Sequence, residues 1–582
     1  MRIDRLGRIW GMYTLAFAGV VLLVWALESA GILGSRGIGY IFMGLTIAIY
    51  ALIGIVSRTN KLDEYYVAGR QIPGIFNGMA TGSDWMSAAS FISMAGLVYA
   101  LGYEGLGYIM GWTGGYVLLA VFLAPYIRKF GHYTIPDFVA ARYGDGFPRV
   151  VAVLAAILVS STYLIAQVTG VGVVMSRFLG IPYNIGVFVG LLGVLVCSFL
   201  GGMRAVTWTQ VAQYIILIIA YLVPVIAIST KFTGVPIPQL MYGKALTAIT
   251  ELEAKYGITK AYVQPFNDWS PVMFLAFTLS LMAGTAGLPH ILVRFYTVPS
   301  VRESRYSVGW ALFFIFLLYF TAPAYAAFAR WEILQNIVGQ PIASLPAWAA
   351  AWTKTGLLTI KDANGDGILQ FAELGINNDI IVLATPEIAG LPYVVAGLVA
   401  AGGLAAALST ADGLLMVVAT AISHDIYYKL INPKASDKAR LFLSKVLLIV
   451  VAIIAAWIAT FRLQFIANIV AWAFSLAAAS FFPILVLGIW WKRANRYGAI
   501  TGMIVGLLIT FAYIILNRHP AVKLELFGIK DTAAGIFGMP INFLITYVVS
   551  LLTPAPDPKV QDLVTEVRYP KRLLRTVEGP AD

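Results

Sequence analysis

Charged side chains and cysteine are both scarce in this sequence. Only 12% of the 582 residues are Asp, Glu, Lys or Arg, about half the share found in soluble domains. So few charges cannot cover the surfaces of several soluble domains. The 60% hydrophobic content and the mean hydropathy of +0.82 instead indicate a protein that crosses a membrane many times. The single cysteine, Cys197, excludes an intrachain disulfide.

Motifs of enzyme active sites are also missing. The four histidines lie far apart, and no zinc-protease, paired-cysteine, nucleophile-elbow or phosphate-loop motif is present. The sequence therefore does not indicate an enzyme. The net charge of +12 is of the sign that nucleic acids attract, but there is no basic soluble domain to bind one, so we predict no nucleic-acid partner.

Long apolar segments fill most of the chain. A helix needs about 20 apolar residues to cross the hydrocarbon core, and by this rule we predict an all-α membrane protein with about fourteen transmembrane helices. They are predicted at 10–33, 38–57, 72–101, 107–127, 150–178, 183–201, 208–230, 270–290, 306–329, 390–423, 441–460, 464–490, 497–516 and 535–553.

Positive charge alternates along the chain between basic loops and loops with few basic residues. By the positive-inside rule this pattern predicts a multi-pass protein of the cytoplasmic membrane, surrounded by lipid, with both termini in the cytoplasm. The residues placed on the inner side include Arg2, Arg294, Lys571, Arg572 and Arg575. The net charge therefore has an explanation in topology.

Two of the predicted spans are poor continuous helices. The third begins Ile72-Pro73-Gly74 and contains Gly82-Ser83-Asp84, and the eighth contains the run 282–290 with Gly284, Gly287 and Pro289. Backbone groups freed by Gly and Pro at membrane depth are tolerated where they line a cavity or bind a ligand. The two segments lie five spans apart, which is typical of a transporter binding site between two repeats. The alternative is that the glycines only allow close helix packing.

Two acidic residues, Asp84 and Asp412, lie well inside predicted spans. A carboxylate at membrane depth indicates an ion or substrate path. Asp84 is interpreted either as an ion-coupling residue or as a cap for amides freed in the broken span. Asp412 follows Ser409 and Thr410, whose hydroxyls are the oxygen ligands that a small cation prefers, although such hydroxyls often bond to their own backbone.

The predicted outer loop 330–389 contains a calcium-binding motif. Residues 362–373 match the EF-hand loop pattern at every position. The predicted Ca²⁺ ligands are Asp362, Asn364, Asp366, Ile368, Gln370 and Glu373, with Gly367 at the sharp turn. On the outer face we expect a structural ion that orders the loop, and the alternative is a hydrophilic turn of coincidental composition.

Four stretches, found in order at 62–70, 82–87, 201–210 and 406–427, carry a resemblance to a known family. From about residue 39 onward the chain resembles the sodium/solute symporter family. This resemblance implies a five-plus-five inverted-repeat transporter core that binds Na⁺ as its coupling ion. It implies sodium ligation by the carbonyls of Gly82, Trp85 and Ala406 and by the hydroxyls of Ser409 and Thr410, with Asp84 beside the site.

Within the family, residues 284–295 are most similar to acetate and short-chain monocarboxylate permeases, and Gln210 follows the same branch. This similarity implies substrate contacts at Gly284, Thr285 and Ala286. The first predicted span is additional to the family's usual thirteen, and Asp412 is not general in the family.

The expected function is sodium-coupled symport of a small monocarboxylate such as acetate, propionate or pyruvate by alternating access. The alternatives are coupling to protons through Asp412, another small solute such as proline or pantothenate, or a sensor that binds solute without transport.

The predicted organisation is an extra helix (1–37), a peripheral helix and cytoplasmic loop (38–71), a first repeat (72–230), an outer loop (231–269), a second repeat (270–490), peripheral helices (491–553) and a partly disordered or membrane-associated cytoplasmic tail (554–582).

Overall fold

The computed structural model describes residues 3–569, and nearly all of its regular structure is helical. The α-helices are α1 (Ile3–Ser29), α2 (Ser35–Val56), α3 (Leu62–Val67), α4 (Gly74–Trp85), α5 (Met94–Leu101), α6 (Leu106–Phe122), α7 (Ala124–Phe130), α8 (Ile135–Tyr143), α9 (Phe147–Leu179), α10 (Tyr183–Thr233), α11 (Pro238–Lys255), α12 (Pro271–Ala286), α13 (Pro289–Val293), α14 (Val301–Tyr319), α15 (Ala322–Asn336), α16 (Ala347–Thr353), α17 (Ile381–Ile388), α18 (Tyr393–Thr420), α19 (Asp437–Ala459), α20 (Ile466–Trp490), α21 (Arg496–Arg518), α22 (Gly535–Leu552) and α23 (Pro558–Arg568).

Within residues 3–569, 12 continuous helical segments are long and apolar enough to cross a membrane. The predicted number of about fourteen is therefore not confirmed. The two counts differ at Ala89–Phe122 and Tyr183–Thr233, each of which covers parts of two predicted spans. In both segments a glycine with positive φ interrupts the helical backbone, namely Gly102 (φ 59°) and Gly202 (φ 53°). A Cβ at either position would lie within 2.5 Å of a carbonyl oxygen of another segment.

Both predicted interruptions are present in the structure. Helix α4 ends at Trp85, and the chain resumes a helical course through a π-helical turn, Ala89–Ser93, that leads into α5. Helix α12 ends at Ala286, and the short helix α13 follows at Pro289. Proline at the start of α13 lacks a backbone N–H and so cannot continue the hydrogen bonding of α12.

The centre of the molecule is formed by α10 and α18, which pack against each other and against α9 and α2. Helix α18 is buried along almost its whole length. The additional helix α1 is mostly exposed and contacts α10 and α18. The carboxylate of Glu28, near its end, accepts hydrogen bonds from the backbone N–H groups of Tyr393 and Val394 at 2.6 and 2.9 Å. These N–H groups lack partners within α18 because they lie in its first turn.

One small sheet departs from the all-α prediction. Strands β1 (Leu358–Ile360) and β2 (Leu374–Ile376) pair antiparallel, with Leu358 opposite Ile376. The two strands flank the EF-hand-like loop, and their pairing holds the two ends of the loop next to each other.

The segment predicted as a tail begins with an ordered helix. Helix α23 packs against α7, α8 and α20, and the carboxylate of Asp557 caps it by accepting from the N–H of Lys559. Arg2, Lys571, Arg572 and Arg575, with the remainder of the predicted tail, lie outside the described residues.

Candidate ion and solute site

Two hydroxyls of α18 face the carboxyl end of α4. Ser409 Oγ donates to the carbonyl oxygen of Ser83, and Thr410 Oγ1 donates to that of Asp84, both at 2.8 Å. The last carbonyls of a helix have no partner within it, so the early end of α4 leaves these oxygens available to α18. All four residues are fully buried.

The remaining predicted sodium ligands lie on the same two segments. The Gly82 carbonyl accepts from Met86 N–H at 2.9 Å, and the Trp85 carbonyl accepts from Ser87 N–H at 2.8 Å. The Ala406 carbonyl accepts from Ser409 Oγ at 3.0 Å. The site therefore offers carbonyl and hydroxyl oxygens, the ligand type preferred by hard cations.

Asp84 forms a buried ion pair that the sequence did not indicate. Arg294 Nε donates to Asp84 Oδ2 at 2.9 Å, and both side chains are 0% exposed. A second guanidinium nitrogen donates to Thr207 Oγ1 at 3.0 Å. Arg294, which the sequence places in a predicted inner loop, is fully buried and lies within the helical segment Pro271–Tyr296. A buried carboxylate requires a cationic partner, and that requirement could have indicated this arginine.

Asp412 lies close to the same region. Ser198 Oγ donates to Asp412 Oδ1, and among the described residues Oδ2 has no hydrogen-bond partner. A Cβ added to Gly413 would lie 2.6 Å from Asp84 Oδ1, so the glycine makes room for the Asp84 carboxylate. Gln210 Nε2 donates to the carbonyl of Ser409 at 2.7 Å and ties α10 to the ion-binding segment of α18.

Beyond the α4 break lies a set of buried neutral polar groups, which we call the donor cluster. Its side-chain atoms have no hydrogen-bond partner among the described residues: Trp85 Nε1, Ser87 Oγ, Tyr116 OH, Gln167 Nε2 and both ring nitrogens of His290. Two aromatic contacts involve its members: the ring centroids of Trp85 and Tyr116 are 5.2 Å apart, and those of His290 and the neighbouring Tyr163 are 5.4 Å apart.

Gln167 anchors the donor cluster to the broken helix, because its Oε1 accepts from the backbone N–H of Ala88 at 2.8 Å. Tyr163 and Gln167 on α9 and His290 on α13 were not singled out from the sequence, and all three are buried. A glutamine in the middle of an apolar run was the available signal.

The three predicted substrate residues have different surroundings. A Cβ at Gly284 would lie 2.2 Å from the carbonyl oxygen of Phe474, so this glycine permits close packing of α12 on α20. Thr285 packs against Gly115 of α6, and its buried Oγ1 lacks a partner within the described chain. Ala286 is buried at the end of α12.

The model of the sodium:solute symporter family matches residues 65–342 and 352–506. The chain belongs to this family. An uncharacterized symporter of Cupriavidus necator is 44% identical, with 97% of this chain and 98% of the relative aligned. The substrate-bound, outward-open structure of a Na⁺-coupled sialic acid symporter has the same fold. Its TM-score is 0.69 at 19% identity, and the match covers 89% of this chain and 99% of that one.

Family membership makes this protein a multi-pass membrane transporter that couples solute movement to sodium, and not an enzyme. The shared architecture is the inverted-repeat transporter fold. It accounts for the pair of broken helices, which meet the same central region from opposite repeats.

A second buried polar cluster lies at the end of the symporter that is predicted to be cytoplasmic. Arg149 Nη1 donates to Asp137 Oδ1 at 2.7 Å and to Asp425 Oδ1 at 2.5 Å. His424 Nε2 lies 2.9 Å from Asp137 Oδ2, and Arg440 Nη2 lies 2.8 Å from His424 Nδ1. Because arginine only donates, Nδ1 accepts and the proton is on Nε2. This cluster joins α8, α9, α19 and the π-helical segment Ala421–Ile431 that follows α18.

Asp137 is the acceptor shared within this cluster. Burial alone would raise the pKa of Asp137, but the hydrogen bond from His424 and the ion pair with Arg149 hold the pKa below its ordinary value. Asp137 therefore stays ionised and its partners stay oriented. Arg149 supplies the cation between the two carboxylates.

The EF-hand-like loop of the symporter is closed by its own acidic side chains. Asp362 accepts from the N–H groups of Gly365 and Gly367 at 2.8 and 3.0 Å. Glu373, at the last position, accepts from the N–H groups of Ala363 and Gln370 at 2.7 and 3.0 Å. The N–H of Ile368 lowers the pKa of the exposed Asp366 by hydrogen bonding to its carboxylate.

Proposed function

We propose that this symporter carries small monocarboxylates of the acetate, propionate or pyruvate type into the cell together with sodium. It would act in the cytoplasmic membrane with both termini in the cytoplasm. The observation that carries the proposal is the donor cluster, a set of buried, neutral and unpartnered hydrogen-bond donors beside the break in α4.

The chemistry of these groups favours a carboxylate over other small solutes. An unpartnered buried donor costs about 1–3 kcal/mol, and a carboxylate offers two acceptor oxygens to such donors. The N–H groups of Trp85 and Gln167 can only be satisfied by an acceptor or by water. Proline would add an ammonium group that these donors cannot neutralise.

Aromatic side chains next to the donor cluster suit a short alkyl chain. Tyr163 packs against Phe474 with ring centroids 5.5 Å apart, and Trp112 lies 6.1 Å from the same ring. These rings supply apolar surface on which a methyl or ethyl group is removed from water. Thr285 is proposed as a further solute contact because its buried hydroxyl lacks a partner among the described residues.

The proposed sodium ligands are the carbonyls of Gly82, Trp85 and Ala406 and the hydroxyls of Ser409 and Thr410. These oxygens come from two helices, α4 and α18. An ion bound to both sets of oxygens therefore stabilises the conformation in which the two helices lie close together. Asp84 is already neutralised by Arg294, so we propose Asp412 as the carboxylate that balances the charge of the ion. Sodium and a monocarboxylate carry opposite unit charges, so the transported pair is neutral, and moving both across the membrane costs less than moving either alone.

Purified protein in proteoliposomes should take up labelled acetate and pyruvate when an inward sodium gradient is imposed. Labelled proline should not accumulate, since the donor cluster contains no carboxylate to neutralise its ammonium group. The measurement compares the three solutes under a sodium gradient alone and a proton gradient alone, with protein-free liposomes as the control. Preferential proline uptake, or acetate uptake driven by protons without sodium, would contradict the proposal.

We also propose that residues 362–373 bind calcium as a structural ion on the outer face. The full EF-hand pattern and the closure of the loop by Asp362 and Glu373 support this proposal. A site of extracellular type has a dissociation constant of about 10⁻⁴–10⁻³ M. Excess calcium should therefore stabilise the folded protein by about 1–2 kcal/mol.

In a thermal-shift measurement, calcium should raise the unfolding midpoint of the native protein relative to chelator. Glu373→Gln should lose this shift because it removes the bidentate carboxylate. Glu251→Gln, an exposed position on α11, is the matched control and should keep the shift. An equal response to chelator and calcium in the native protein would rule the site out.

A further inference from the structure

A basic cleft of about 550 Å³ opens at the end of the bundle that is predicted to face outside. It lies where α9 ends and where α2, α10 and α18 begin, beside the loop helix α16. Four basic side chains line it, namely Arg36, Arg177, Lys354 and Arg462, and no acidic side chain is part of the lining.

Most of this positive charge is uncompensated. Arg177 pairs with Glu387 at 2.6 Å, and its buried Nε has no partner in the described part of the chain. Arg462 lies over the ring of Tyr183 at 4.0 Å. Within residues 3–569, no ion pair joins Arg36, Lys354 or Arg462 to an acidic group. Glu28, the nearest acid on α1, is engaged by the N-terminus of α18.

The cleft is built to hold an anion. Arg177 is fixed between Phe178 and Trp352, with its guanidinium 5.6 and 5.0 Å from the two ring centroids. The amino ends of α2 and α10, at Ser35 and Tyr183, also belong to the lining. The positive ends of these two helix dipoles add to the field of the basic side chains.

The surroundings of the cleft are apolar and exposed. Ile32 is 70% exposed, Ile185 is 52% exposed and Phe465 is 39% exposed, and each lies a few residues from a lining residue. In a protein that spans the membrane, such side chains at helix ends mark the edge of the hydrocarbon region. The basic cleft is therefore at the depth of lipid headgroups, where Lys and Arg attract anionic lipid.

We propose that the basic cleft binds the phosphodiester headgroup of an anionic phospholipid of the outer leaflet. A small monocarboxylate would leave most of the 550 Å³ unfilled, whereas a glycerophosphate headgroup reaches several cations at once and its acyl chains can lie on the apolar rim. The site is separate from the ion and solute site and does not depend on which solute is carried.

The test uses the full-length protein in neutral detergent, titrated with dioleoylphosphatidylglycerol and observed by native mass spectrometry. We expect saturable binding that is absent with dioleoylphosphatidylcholine. Lys354→Gln combined with Arg462→Gln should weaken phosphatidylglycerol binding about 30-fold, because each basic residue at a membrane surface contributes a factor of about five. The single variant Lys354→Gln, at an exposed side chain, should show about a fivefold loss with an unchanged unfolding midpoint.

The matched control is Lys244→Gln combined with Lys255→Gln, which removes the same charge from the exposed face of α11. This control should bind phosphatidylglycerol as the native protein does. Binding of inorganic phosphate alone is measured as well, because a site for free anions would bind phosphate whereas a lipid site would not bind it as tightly as phosphatidylglycerol. The proposal is overturned if phosphatidylcholine or inorganic phosphate binds as tightly as phosphatidylglycerol, or if the two double variants behave alike.

Discussion

Replacing Ser409 and Thr410 with alanine is expected to raise the sodium concentration for half-maximal acetate uptake by about 150-fold or more, because contacts to a charged group contribute about 1.5–3 kcal/mol each. Both hydroxyls point at the carboxyl end of α4, and both are proposed sodium ligands. The double substitution removes the two hydroxyls that link α18 to the carbonyls of α4. The measurement is initial uptake in proteoliposomes over a range of sodium concentrations.

The control for this variant removes two hydroxyls that bond only within their own helices. Thr162 donates to the carbonyl of Leu158, and Thr230 donates to that of Ile226, both at 2.8 Å. Thr162→Ala combined with Thr230→Ala should leave the sodium dependence unchanged. If Ser409→Ala with Thr410→Ala also leaves it unchanged, the sodium ligands have been assigned to the wrong residues.

The positions of the two broken helices could be predicted from the sequence because their causes are local. Proline removes a backbone donor, and glycine tolerates backbone conformations that other residues avoid. The interruptions after Trp85 and Ala286 fall within the predicted third and eighth spans. The pair of hydroxyls on Ser409 and Thr410 could likewise be recognised from the sequence, because the two residues are adjacent.

Partners supplied by distant helices could not be predicted in this way. Arg294 meets Asp84 only because the chain folds inward after the α12 break. Gln167 meets Ala88 because α9 packs beside the π-helical turn. The sequence marks Gln167 as a polar residue in an apolar run and Arg294 as a basic residue after a span, but it does not show which groups these side chains meet.

The predicted fourteen spans and the 12 segments in the described residues differ at two places, where one continuous helical segment covers two predicted spans. In each of them the backbone turns at a glycine between two apolar runs. Gly102 and Gly202 redirect the backbone by their positive φ angles, and this property depends on close contacts with Tyr262 and Tyr65, which are remote in sequence. Helix α4 has only 12 residues, so its length alone does not qualify it as a membrane-crossing helix.

Arg294→Met is expected to destabilise the symporter by about 3–5 kcal/mol, the cost of leaving one partner of a buried ion pair uncompensated. Both Asp84 and Arg294 are 0% exposed, so water cannot replace the lost guanidinium. Arg518→Met is the matched control, since it breaks a more exposed pair with Asp531 at 3.3 Å. That change should cost about 1 kcal/mol or less.

The double variant Asp84→Asn with Arg294→Met separates charge burial from packing. With both charges removed, no uncompensated ion remains, so the double variant should regain most of the stability that Arg294→Met loses. The unfolding midpoints of all variants in detergent provide the comparison. If the double variant is no more stable than Arg294→Met, the arginine acts mainly by filling space beside Thr207, and the charge of Asp84 is balanced by another group. Recovery would instead show that Arg294→Met loses stability through the uncompensated charge of Asp84, adjacent to the oxygens proposed to bind sodium.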